Sequence, residues 1–206
     1  MALGLFPLFS PMVFAIVVLI LGFITPGYSH VNYTISRLAI EQYGWIQSIN
    51  FIQLAIGLYF TGTWLTNLIH DGTSVKVIKT IFMICALFLV IAAFVPTDPI
   101  ENVPLYFTLL SPTCLVHVSL VVIFLMLSPL GIVELTRVLG KETRFARLVP
   151  YTLIAGFTAL TGSIVWFAFY FLGIYLEYRG IFQKAIAIPV LIWLILINLA
   201  IMKPHK

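Results

Sequence analysis

The sequence predicts an all-α fold, a polytopic transmembrane bundle of six helices with both termini cytoplasmic and a single domain over residues 1–206. Three observations predict it. Hydrophobic residues fill 62% of the 206 positions and charged residues only 9%, whereas soluble domains carry roughly a quarter charged residues. A soluble fold of this size cannot hide so much apolar surface, so most of its solvent is lipid. Six long windows contain no Asp, Glu, Lys or Arg: 1–36, 42–70, 80–97, 102–133, 148–176 and 185–202. Their unbroken apolar runs suit helices rather than the alternating strands of a membrane barrel. Each can hold the roughly 20 residues that cross a hydrocarbon core about 30 Å thick. Spans are placed at 8–26, 46–69, 78–96, 111–131, 148–172 and 183–202.

The third observation is where the basic residues fall. With the N-terminus inside, Lys76, Lys79, Arg137, Lys141, Arg144, Arg147, Lys203 and Lys206 are cytoplasmic, against Arg37, Arg179 and Lys184 outside. That is the positive-inside pattern. The net charge of +4 therefore reflects orientation and contact with membrane lipids. No interleaved basic and aromatic surface points to nucleic acid. The expected location is the plasma membrane or a bacterial inner membrane.

Taken in order, the first span lacks a preceding Lys or Arg and a small-x-small cleavage site, so it reads as retained. Pro26-Gly27 ends it in a turn. In the following loop, Asn32 to Tyr43 has Ile35, Leu38, Ala39 and Tyr43 at helical spacing. This predicts a short amphipathic helix on the membrane interface, stopped by Gly44 and anchored by Trp45. In the second span Gln47, Asn50, Gln53, Gly57 and Thr61 fall within an arc of roughly 120°. Ser111-Pro112 reads as the cap and first turn of the fourth span, with His117 just inside it. The inner segment 132–147, with Glu134, Arg137, Lys141, Arg144 and Arg147, reads as a solvated basic face. Ala155, Ala159 and Ser163 place a small residue every fourth position along the fifth span, which lets helices approach closely. Cys85 and Cys114 lie within spans without metal spacing and read as buried thiols.

This topology gathers His30, Ser36, Arg37, Gln47, Asn50, Asp98, His117, Glu177 and Arg179 near the outer face. The inner face offers mainly Lys and Arg, with His70, Asp71 and His205. The asymmetry suggests an outward-facing polar pocket that binds a small amphipathic or lipid ligand, with Gln47, Asn50, Gln53, Glu177 and Arg179 as ligand-binding candidates. His30, Ser36, Asp98 and His117 are the candidate catalytic residues. His30, Asp98 and His117 could instead hold zinc for a membrane-embedded hydrolase or transferase. No HExxH spacing supports this, and no cofactor is specified. A bis-histidine haem requires a second intramembrane histidine beside His117. Ser36 with a histidine would make a nucleophile and base, but without a GxSxG elbow. No Walker loop, dinucleotide motif or EF-hand loop occurs. Asn32-Tyr33-Thr34 matches the short glycosylation triplet. Each polar residue also has a plainer reading. The amides of the second span can join helices, Asp98 can stabilise its own turn, and Glu177 with Arg179 can form a local ion pair. An accessory subunit using the small-residue stripe against a protein partner is the remaining class.

Pro26-Gly27-Tyr28-Ser29-His30, followed by Asn32-Tyr33-Thr34-Ile35-Ser36-Arg37-Leu38, resembles the opening signature of a six-span membrane family catalogued as domain of unknown function 998. Pro96-Thr97-Asp98-Pro99, with His117 nineteen residues after Asp98, is similar to its central motif, and Gly173 to Arg179 to its closing one. The resemblance covers nearly the whole chain. It departs at Arg37, where the family usually has an acidic residue, and at Pro112-Thr113-Cys114, where it often has a glycine. The resemblance implies a six-helix bundle with His30, Ser36, Asp98 and His117 as positions of interest, and it implies no reaction.

Overall fold

The computed structural model describes residues 2–69, 72–99 and 110–202. His70, Asp71, Lys203, His205 and Lys206 fall outside these residues. Among those described are six α-helices: α1 (Ala2–Ile24), α2 (Gly44–Leu68), α3 (Gly72–Phe94), α4 (Pro112–Leu139), α5 (Val149–Leu172) and α6 (Arg179–Met202). No described residue is in a strand. At about 1.5 Å per residue, even the shortest is longer than the hydrocarbon core is thick. Every helix except α2 is also apolar enough to cross a membrane. With 25 residues α2 has the length, but Gln47, Asn50, Gln53 and Asn67 lower its hydropathy.

The helices pack in chain order, α1 on α2 through to α5 on α6, and α6 returns to α1. The result is a closed ring. Its outward faces remain apolar: on α1, Phe9, Val13, Ile16, Ile20 and Phe23 are exposed, while Phe14, Val18 and Leu21 on the other side are buried. Phe23, Phe94 and Phe171 are 75%, 73% and 67% exposed. Water would penalise such a belt and lipid does not. Trp45, Tyr175 and Tyr178 are exposed close to one end of the ring, and Tyr151 close to the other. Amphipathic rings favour that headgroup level. The chain is a multi-pass integral membrane protein.

Several boundaries shift from the sequence expectation. α4 runs to Leu139, so much of segment 132–147 is helix. Arg144 is also not simply solvated, because its guanidinium donates to the carbonyls of Ala200 and Ile201 at 3.0 and 2.6 Å. A cation there satisfies terminal carbonyls and opposes the negative end of the α6 dipole. The helix expected on the interface is a 3-10 helix, η1 (Ile35–Ile40), with Ile35, Ser36 and Leu38 buried. It packs on α2, α1 and α6 and stops one end of the ring instead of lying against headgroups. Gly44 begins α2 rather than ending that helix.

The small-residue stripe is used inside the chain. Ala155, Ala159 and Ser163 are 5%, 0% and 0% exposed, at the seams of α5 with α4 and α6. It is therefore not a surface left for a protein partner. Cys85 and Cys114 are free and buried, as expected.

Candidate functional site

The site forms where the loops after α1, α3 and α5 meet at the η1 end. Pro26-Gly27 turns the chain after α1, with Gly27 at φ 75°. The loop then docks on the start of α6: Ile181 N donates to Val31 O at 3.0 Å, and Arg179 Nε to Asn32 O at 3.1 Å. Gly180 makes this approach feasible, since a Cβ there would lie 2.2 Å from Tyr33 O. Lys184, one turn further along α6, donates through Nζ to the carbonyls of Tyr33 and His30 at 2.9 and 3.0 Å and to Tyr28 Oη at 3.2 Å. Tyr28 Oη in turn reaches the carbonyls of Tyr33 and Thr34, and burial pushes its phenol above the usual range. One ammonium thus organises residues 28–34. Gln183 Oε1 accepts from Ile35 N at 2.6 Å and fixes the start of η1.

Asp98 sits at the beginning of α4. It accepts from Ser111 Oγ at 2.7 Å and Ser111 N at 2.8 Å, while Ser111 Oγ caps α4 by accepting from Cys114 N at 3.2 Å. Those donors, the Ser111 hydroxyl first, hold the carboxyl below its ordinary range. His117 lies 2% exposed on α4, with Nδ1 2.6 Å from Val95 O.

Two cavities result. A polar one of about 60 Å³ is lined by residues that include Ser36, Arg37, Asp98, His117, Arg179 and Gln183, with Trp166 and Tyr170 of α5 as an aromatic wall. Trp166 also pins the α6 start, its Nε1 donating to Arg179 O at 3.2 Å. Arg37 pairs with Glu41 and lies over the Tyr33 ring. A second cavity of about 120 Å³ occupies the ring interior, lined almost wholly by apolar residues of α1, α2, α3, α4 and α6. That is on the scale of the ~150 Å³ apolar cavity known to hold a benzene-sized guest. Ser36, Val121 and Gln183 line both cavities.

Ser36, Asp98, His117 and Arg179 are therefore brought to one cavity, and other candidates are not. Asn50 Nδ2 donates to Phe14 O, and Gln53 Nε2 to Ser10 O, each at 3.2 Å. Gln53 also donates to Asn50 Oδ1, and Asn50 to Gln47 Oε1. This amide chain joins α2 to α1 and lines neither cavity. In lipid, a buried amide is satisfied by the nearest carbonyls of a neighbouring helix, here those of α1. Glu177 is exposed and lies outside both cavities. The His30 ring fits a notch at Gly22, where a Cβ would meet it at 2.1 Å, with Phe23 and Tyr28 edge-on. Burial, then the charge of Lys184, lower its pKa. That notch is separate from the polar cavity, so the expected set of His30, Asp98 and His117 does not assemble. Among the described residues no three His, Cys, Asp or Glu side chains are placed to hold a metal.

Gln183 and Lys184 were not singled out in the sequence, where Lys184 stood only as a span boundary and one of the outer charges. Read like the amides of α2, Gln183 would have stood out as a polar group entering a membrane helix. Trp166 and Tyr170 carried no signal beyond being aromatic.

Fold and site together define a helical integral membrane protein with a polar chamber at one end of an apolar ring. Its sequence matches, over residues 8–200, the family described as "Protein of unknown function (DUF998)". The chain belongs to that family. Comparison with curated proteins and with solved structures finds no match.

Proposed function

We propose that the chain is a six-span protein of the plasma or bacterial inner membrane, with both termini cytoplasmic, that binds one small amphipathic or lipid ligand. The polar head occupies the chamber beneath η1, facing outward, and the first carbons of the tail enter the ring interior, whose volume of about 120 Å³ takes a benzene-sized segment. The observation that carries this reading is the sharing of Ser36, Val121 and Gln183 by a polar and an apolar cavity. A wall that changes from polar to apolar along its length matches an amphiphile better than it matches an ion or a wholly polar metabolite. The exposed apolar outer faces supply the membrane from which such a ligand partitions. The preponderance of basic residues at the opposite end supports the orientation.

Native mass spectrometry of the protein released from mild detergent tests the reading. One retained amphiphile per chain is expected, and Val121→Trp, which fills the junction, should lose it while the protein keeps its helical circular-dichroism spectrum. Wild-type protein that flies free of amphiphile in every detergent would contradict the proposal.

A further inference from the structure

The identity of the head group can be narrowed from one ring nitrogen. α3 ends at Phe94, and the next carbonyl, Val95 O, stands 2.6 Å from His117 Nδ1. A carbonyl only accepts, so Nδ1 carries the proton. In the neutral ring Nε2 then presents a lone pair. Nε2 is buried without a hydrogen-bond partner among the described residues, and the ring lines the polar cavity. A buried acceptor left unmet is costly, so the pocket favours an occupant that donates to it.

We propose that the ligand's head carries a hydroxyl that donates to His117 Nε2, which makes the ligand an alcohol-headed amphiphile of the glycerol-ester type. This rests on the reading of the two cavities as one amphiphile site. The surrounding charges weigh against an ammonium head. An ammonium would meet the like charges of Arg37 and Arg179, two cations against the one Asp98 carboxylate in the same lining. A carboxylate or a phosphodiester group has itself no proton to give at neutral pH, so an anionic head would answer the ring only through a hydroxyl it also carries. A hydroxyl both donates and accepts, which suits a wall combining the imidazole, the Asp98 carboxylate and guanidiniums.

The test uses two probes with the same tail, 1-decanoylglycerol and methyl decanoate, and protein labelled with 15N-histidine. The glycerol ester is expected to bind saturably and about tenfold tighter, the worth of one buried hydrogen bond. The unprotonated Nε2 resonance of His117 should shift upfield on binding, with His30 unmoved. His117→Phe should abolish the preference between the two probes. The 15N result stands on wild-type protein should that variant fail to fold. Equal affinity of both probes with an unmoved resonance, or an Nε2 already protonated or bonded only to water in the complex, would overturn the hydroxyl assignment and leave the amphiphile site standing. Failure of both probes to saturate would overturn the assignment and the site together.

Discussion

Asp98 and His30 show how a side chain's neighbours, more than its type, determine its role. Asp98 accepts two hydrogen bonds from Ser111, and its folded-state pKa lies below that of the unfolded chain. Its contribution is therefore complete above the ordinary carboxylate value and disappears as pH falls through the folded one. Asp98→Asn should lower stability by about 1 kcal/mol near pH 6, or about 2–4 °C in Tm, with the gap closing below about pH 4. Thermal unfolding across that range checks it. His30 also has a lowered pKa, from burial first and then from Lys184. Below about pH 6.5 the unfolded chain takes up the proton first, so stability falls as pH drops towards the folded value. His30→Phe fits the same aromatic notch and should flatten Tm between about pH 7 and 5. A wild-type curve already flat there would contradict this account of His30. At this scale the sequence was informative about position. Ser111 and Pro112 lie at the start of α4 as expected, and His117 lies in a cavity wall. It could not show that Asn50 and Gln53 reach α1 carbonyls, because periodicity groups residues on a face without naming the helix opposite.

The decisive elements are the first loop and the start of α6. Gly180→Ala would drive a methyl into Tyr33 O, a backbone atom that cannot swing aside. Overpacking of this kind costs about 1–3 kcal/mol, and thermal unfolding should show the drop. Lys184→Met keeps the length of the side chain and removes its three oxygen contacts with the loop. Hydrogen exchange at residues 28–34 should rise severalfold, with α2 to α5 unchanged. The loop's role was hidden for a physical reason. A lysine at a span boundary looks like one that snorkels to water, and only the folded loop shows its ammonium turned onto carbonyls. η1 was legible as a helical segment, but its burial was not, since Ile35 and Leu38 suit a lipid interface and a ring interior equally.

For the whole molecule, the charge-free windows located five apolar helices well, because exclusion of charge from lipid is the strongest constraint on such a chain. α2 is the instructive case: its amides lower its hydropathy, yet they face α1 within the ring. The two cavities were not legible, since they arise from helices far apart in sequence. The most direct measurement of the central claim is labelling by a membrane-impermeant maleimide of Ser36→Cys, in a Cys85→Ala, Cys114→Ala background, on intact cells. Modification from outside is expected, slowed by saturating 1-decanoylglycerol, while Asn50→Cys at the α1–α2 seam stays unmodified. Reaction at position 36 only after the cytoplasmic side is exposed, or reaction indifferent to the amphiphile, would contradict it.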